Sequence, residues 1–515
     1  MPGTAGRRFL SATVSPVAAA PGTYNAGVGE ERGRTRRRLV GLVIVAFWVA
    51  MTAWLVQREV LPRQRGSGRA APPPAARERW YGLFAPEGRL GTVYLVQRAE
   101  DRNGVPGATV QVTASLSVAA AGSPAQVKLG GSLWRPLGDG PAEIEGTVTS
   151  GEHELAVRGT IANGVLDAVL YSAGEEVPVR TRLDTAAFAA ASPLGTALPA
   201  LAPGEETTVS GFDPLTFTPA RVRVRRLPER ERPAGGPEGA AQVLAVKAGA
   251  STLTVWTDGE GEILEASTPF GLVLRRLTRE ASLAGAEMAA APELFARTLV
   301  APRGQRPFRG ARRMVVRLAG VEETPPEDDA QIQLGGGAYR IAQQPPLPVV
   351  PGTVAPAGFL APEPLVQSDH PRILAQAAAI VAGAAEPWAR VQRLSRWVFT
   401  ELDKRSVLSL PSALDVLASR EGDCNEHTVL FTALARAAGV PCRMAVGIVW
   451  SEELGAFGYH AWPEVWVGRW VRVDPTLGQE IADATHVKLV AGGVERWGQV
   501  LAYLGRLQVE VVTVE

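Results

Sequence analysis

The stretch Arg420–Arg443, REGDCNEHTVLFTALARAAGVPCR, holds both cysteines of a 515-residue chain, and Cys424 stands directly after Gly-Asp. Asp423 is a good helix N-cap, and Glu426 three residues on completes a capping box, in which each side chain takes an orphaned backbone N–H. Cys424 is then the first helical residue. Its sulfur lies at the positive end of the helix dipole, a placement that lowers a thiol pKa toward neutrality. The position suits a nucleophile, and it also suits a small buried hydrophobe, a common fate of free cysteine. A nucleophile needs a base and a group that orients the base. The segment YHAWPEVWVGRWVRVDPT, Tyr459–Thr476, offers His460 and Asp474 for those roles.

His460 opens a strand running to about Val467, and WVRVD returns to Asp474. Residues of a hairpin share a face only when the loop length has the right parity. A three-residue loop, Val467-Gly468-Arg469, places Asp474 opposite Trp462 and diagonal to His460, within reach once the strands twist. Trp462 and Glu464 share the His460 face; Trp462 is expected to shield the imidazole and Glu464 to make a structural hydrogen bond. His427, one turn after Cys424, is expected on the helix surface or behind the site. Pro463 fits an edge or a bulge. Cys424, His427, His460 and Asp474 match no usual zinc spacing, so no metal is expected.

These side chains need a scaffold. Gly439, Val440 and Pro441 end the Cys424 helix. Upstream, His370–Leu402 reads as two amphipathic helical runs broken near Glu386 and Pro387, and SALDVLAS as a short third helix entered at Ser412. Residues 345–364 are rich in proline and mark a boundary. From Trp80 to about Ser282 the apolar pattern has period two, interrupted by Gly, Asn and Asp turns, which predicts an antiparallel sheet. TLTVWTDGEGEILEASTPFGLVLRRLTRE reads as strand, turn at Asp258–Gly261, strand, turn at Thr268–Gly271, strand. An alanine-rich stretch at Thr185–Ala202 reads as a helix, and His153 sits in a hairpin-like segment as a surface residue.

The formal charge is +1, which leaves no bulk electrostatic case for a nucleic-acid partner. Two cysteines make at most one bridge, so stability rests on packing. Leu39–Val56 is an uncharged apolar run at the short end of what spans a bilayer, preceded by Arg32, Arg34, Arg36, Arg37 and Arg38. The positive-inside bias then keeps the tail in the cytoplasm and puts everything after the helix outside it. A cleaved signal peptide is the alternative, against which the run is long and no small-x-small site follows.

GDCNEH, LARAAGVPCR and YHAWPEVWVGRWVRVDPT together resemble the transglutaminase-like superfamily, and the likeness runs over roughly 369–490, including GQEIADATHVKL. The resemblance implies a papain-like domain, a Cys-bearing helix on an antiparallel sheet, with RMAVGIVW as the buried strand after the helix. It implies Cys424 as nucleophile, His460 as general base and then acid, and Asp474 as orienting carboxylate. The Cys424 backbone N–H would serve the oxyanion, helped by an upstream side chain for which Trp397 or a residue near Ser409 are candidates. Cys442 departs from the usual alanine and is expected as a second buried thiol.

The organisation expected is α+β: a disordered cytoplasmic tail (1–38), a transmembrane helix (39–56), a linker (57–79), a β-rich extracytoplasmic region (80–345), a proline-rich linker (346–368) and a transglutaminase-like domain (369–515). The expected function is that of a membrane-anchored cysteine enzyme, without a cofactor, acting on peptide or protein amides through a thioester, with hydrolysis favoured over cross-linking. The rival is a silent domain that binds peptide in the same groove. An even hairpin loop or a Cys424 closed off by packing would favour the rival.

Overall fold

Side chains from Val165 to Ser172 alternate between buried and partly exposed, with Leu166, Ala168, Leu170 and Ser172 inside, as a half-buried strand requires. That alternation builds most of the first half of the chain. The structure is a computed structural model and describes residues 76–515, apart from internal segments among them 183–200, 285–297, 345–353 and 406–411. The run 39–56, the tail before it, most of the 57–79 linker and nearly all of Thr185–Ala202 lie outside the described residues. Among the described residues no helix is long and apolar enough to cross a membrane.

Eight consecutive strands, from Arg77–Ala85 to Glu175–Arg182, form one antiparallel meander, and six, from Glu206–Asp213 to Val273–Leu277, form another. They join where Trp80 pairs with Leu277, giving a sheet of 14 strands. Its turns fall where polar side chains can replace lost backbone partners. Asp258 Oδ1 accepts from the N–H groups of Glu260 and Glu262 at 3.0 and 2.8 Å, and Thr268 Oγ1 accepts from Leu272 N at 2.9 Å. His153 opens the strand His153–Ala162.

Residues 302–342 form a second sheet of five strands, completed by Gln508–Val514. That strand pairs in parallel with Pro302–Gly304 and antiparallel with Arg313–Ala319. Strand pairing therefore crosses the boundary that the proline-rich stretch marks in the sequence.

The third layer carries the chemistry-bearing residues. Helices Pro371–Val381, Pro387–Glu401 and Ala413–Ser419 pack around the helix Cys424–Ala437. Two of them begin with proline at the first turn, where its missing N–H costs nothing. Every residue from Cys424 to Arg436 is buried, so this helix is the centre of its layer. It lies against a four-stranded antiparallel sheet in the order Trp470–Arg472, Ala456–Trp466, Cys442–Ser451, Val487–Gly492. The 14-stranded sheet docks on these helices through Ser172, whose Oγ is 2.5 Å from Ser412 Oγ and donates to Asp415 Oδ2 at 2.7 Å, and through Leu365, which packs with Leu166 and Leu170. The whole is mixed and sheet-rich with few helices.

Candidate active site

Asp423 caps the central helix as its sequence dictates. Its Oδ1 accepts from Asn425 N at 2.8 Å, the Glu426 carboxylate accepts from Asp423 N at 2.8 Å, and Cys424 is the first helical residue. The sulfur is thus held at the helix N-terminus, and Cys424 is fully buried. His427 is also fully buried, with Nδ1 2.7 Å from the Asp423 carbonyl. It therefore does not lie on the helix surface; its ring folds back over the first turn and braces the cap.

The helix packs on the strand Ala456–Trp466, which carries His460. That strand turns through Val467, Gly468 and Arg469, with Trp466 opposite Trp470 and Glu464 opposite Arg472. Gly468 takes φ +93°, a conformation that side chains other than glycine rarely adopt. Val473 N then donates to the Pro463 carbonyl at 3.1 Å, so Pro463 turns its nitrogen, which has no proton, to the side where the short partner strand ends. Extended by one residue, this register brings Asp474 opposite Trp462. His460 Nε2 lies 2.8 Å from Asp474 Oδ2, with both side chains almost wholly buried. On the other side of the strand His460 pairs with Gly447, where a Cβ would strike the Val487 carbonyl at 2.0 Å and the Trp462 ring at 2.9 Å. Glycine there lets the sheet close around the imidazole.

Asp474 accepts from four donors. Thr476 N and Leu477 N reach Oδ1 at 2.9 Å each, and His460 Nε2 and His486 Nε2 reach Oδ2 at 2.8 and 3.0 Å. Since a carboxylate only accepts, His460 must carry its proton on Nε2, and proton exchange with a thiol falls to Nδ1. Burial alone would raise the Asp474 pKa, but the two imidazoles outweigh it and hold the carboxyl well below its usual range. Trp462, fully buried, lies parallel to His460 at 6.2 Å and edge-on to His486 at 5.1 Å.

His460, Asp474 and His486 could offer a metal three ligand atoms within 4.8 Å of one another. Both imidazoles instead converge on one oxygen at ordinary hydrogen-bond length, which accounts for their spacing. No local pattern singles out His486, although it stands in the segment GQEIADATHVKL. Its place comes from a loop that folds back onto Asp474, and no strand register or helical spacing encodes that.

Glu464 does more than make one hydrogen bond. Fully buried, it meets Arg443 Nε at 2.7 Å, Lys488 Nζ at 2.8 Å and Arg472 Nε at 3.5 Å, while Asp328, just before the strand Gln331–Gly335 of the five-stranded sheet, pairs with Lys488 and with Arg472. Burial pushes the Asp328 carboxyl up, yet Arg472 and Lys488 outweigh it and bring its pKa down to about 2. The same balance lowers Glu464. Cys442 is a free, buried thiol 3.6 Å from Thr432 Oγ1, pushed up to about 12 chiefly by burial. Ser409 lies outside the described residues, and the Trp397 ring is covered by the Arg420 guanidinium at 4.3 Å. A cleft of about 220 Å³ opens beside His460, lined among others by Arg309, Trp450, Glu453, Tyr459 and Leu477.

Residues 375–475 match the family model described as the transglutaminase-like superfamily, and this part of the chain is a transglutaminase-like domain. An uncharacterized Mycobacterium leprae protein, ML0607, is 30% identical over 113 residues, which is 20% of this chain and 40% of that relative. Among solved structures, a Cytophaga hutchinsonii protein proposed to be a cysteine protease is similar over 40% of this chain and 83% of its own, at 16% identity and a TM-score of 0.27. The periplasmic domain of TgpA from Pseudomonas aeruginosa, bound to ethylmercury, is similar over 34% and 70%, at 19% identity and a TM-score of 0.21.

Proposed function

We propose that the protein is a thiol-dependent enzyme acting on peptide or protein amides, with Cys424 as nucleophile, His460 as general base and acid, and Asp474 as the carboxylate that orients His460. The buried 2.8 Å contact between His460 and Asp474 carries this reading, because it commits the imidazole to one tautomer and supports its positive form. The thiol gives its proton to His460 Nδ1, and the thiolate attacks the carbonyl carbon. The C–N bond then breaks, with the amine leaving on the proton from His460, and water resolves the thioester by the reverse proton path. Cross-linking would need an amine in place of that water. The 220 Å³ cleft is small for a whole ligand and suits a single substrate side chain next to the scissile bond.

The apolar run 39–56 and the arginines before it support a membrane anchor with the remainder extracytoplasmic. Fractionation of the full chain tests this: recovery in the soluble fraction overturns it. One observation favours a second reading, a silent peptide-binding domain: Cys424 is wholly covered, so an acyl donor reaches it only when part of its cover moves.

The deciding experiment is pH-dependent alkylation of Cys424 by iodoacetamide in a Cys442→Ala background, with and without His460→Ala, followed by mass-spectrometric search for a thioester on peptide substrates. A thiol pKa well below the free value, rising without His460, supports the enzyme. An ordinary pKa indifferent to His460 supports the binding module.

A further inference from the structure

His486 is fully buried between two carboxylates. Its Nε2 faces Asp474 Oδ2 at 3.0 Å, and its Nδ1 faces the Asp483 carbonyl at 3.1 Å and Asp483 Oδ1 at 3.3 Å. Both carboxylates are already filled with donors. Asp483 Oδ1 also accepts from Thr485 N and Thr485 Oγ1, and Oδ2 from Gly310 N and Gln479 Nε2. Neither acid has a role for a proton of its own, and each ring nitrogen of His486 faces oxygens that accept. A neutral imidazole must present one lone pair, and here that lone pair would point at an anion or a carbonyl.

We propose that His486 is an imidazolium that donates to Asp474 and Asp483 at once, and that it positions the Asp474 carboxylate for His460. This rests on the reading of Cys424, His460 and Asp474 given above and extends it to a chain of Cys, His, Asp, His and Asp. The other charged groups around His486 are accounted for. His460 lies at 5.9 Å between ring centroids, and Arg472 Nη1 donates to the His486 carbonyl at 3.0 Å. Arg472, Lys488, Asp328 and Glu464 form the neighbouring cluster already described. Burial opposes the charge, yet the bonds to Asp474 and Asp483 outweigh it and raise the His486 pKa.

A cation beside Asp474 has a measurable consequence. It lowers the pKa of both the Cys424 thiol and the His460 imidazolium, so removing it moves both limbs of the reactivity profile up together, by about one pH unit. Loss of a merely structural contact depresses the rate at all pH values without that joint shift.

The test has two arms on the full chain. The first is imidazole 15N spectroscopy on selectively labelled protein, which carries five histidines and can be assigned by substitution. His486 should show both nitrogens protonated from about pH 6 to about pH 8, across the range in which an ordinary histidine loses its proton. A neutral ring at pH 8 overturns the proposal. The second is the alkylation profile of Cys424 in His486→Gln, where both limbs should rise together; an unmoved profile overturns the positioning role. Should His486→Gln fail to fold by near-ultraviolet circular dichroism, Asp483→Asn takes its place. There His486 should begin to titrate within the measured range, and a ring that does not respond counts against the proposal. A wild-type Cys424 with an ordinary thiol profile would overturn the enzymatic reading and leave the charge of His486 to the spectra.

Discussion

At the scale of single residues, the two thiols should behave as opposites. Cys424 sits at a capped helix N-terminus, whereas burial holds Cys442 at about 12. Peptide mapping after native alkylation at neutral pH should find label on Cys424 alone, and a small reagent should outpace a bulky one because Cys424 is covered. Asp474→Asn should lower the alkylation rate near neutral pH, and turnover of any substrate found, by about 10²- to 10⁴-fold while the protein stays folded. An amide cannot accept from both imidazoles and both backbone N–H groups as the carboxylate does. The candidate nucleophile and carboxylate were legible in the sequence because each sits on a local signal, a cap and a hairpin of odd loop length; His460, expected to open its strand, instead lies inside Ala456–Trp466, which begins four residues earlier. His486 and Asp483 were not legible, since their meaning appears only when one loop closes on another. Glu464 was legible as a hydrogen-bonding group, but Asp328, the second carboxylate that shares Lys488 and Arg472 with it, comes from a distant stretch of the chain just before the strand Gln331–Gly335.

At the scale of elements, the capping box should be worth about 1 kcal/mol, the amount Asp423→Ala should remove in denaturant unfolding. The hairpin offers a sharper experiment. A glycine added within Val467–Arg469 should be absorbed by the loop, whereas one added between Val471 and Arg472 turns Asp474 to the other face and should make Cys424 alkylation indifferent to His460. The helices and the strands around the site follow their sequence patterns closely. Ser412 is an instructive exception. It precedes its helix as an N-cap residue should, but it makes no side-chain cap; its hydroxyl faces Ser172 and Gln367, because docking of the large sheet competes for it.

At the scale of the whole molecule, the buried charges tie the five-stranded sheet to the sheet bearing His460. Removing Asp328 leaves Lys488 and Arg472 short of an anion, and Asp328→Ala should cost about 3 kcal/mol in chemical denaturation. The pH dependence has a definite sign. Asp328 and Asp474 have folded pKa values below their unfolded ones, so their stabilisation is complete above about pH 4; that of Asp328 is lost as pH falls toward about 2, and that of Asp474 as pH falls through its own lowered folded value. His486 is shifted the other way; its stabilisation is complete below about pH 6.5 and fades as pH rises through its folded value. Thermal melts should therefore fall on both sides of a weakly acidic optimum, and His486→Gln should flatten the alkaline side. The fold class was legible at this scale, whereas the partner of the strand Gln508–Val514 was not, because no local pattern announces a strand roughly two hundred residues upstream.

That last pairing also sets a clock. During synthesis the strands Pro302–Gly304 and Arg313–Ala319 emerge roughly two hundred residues before Gln508–Val514, an interval of about 10–40 s at usual ribosomal speed. For that time each presents an unpaired strand edge, which invites wrong partners and calls for a chaperone or a fast collapse. The segment that supplies Asp328 to Arg472 and Lys488 and Gly310 to Asp483 settles only when translation has passed Cys424 and the strand that locks the sheet.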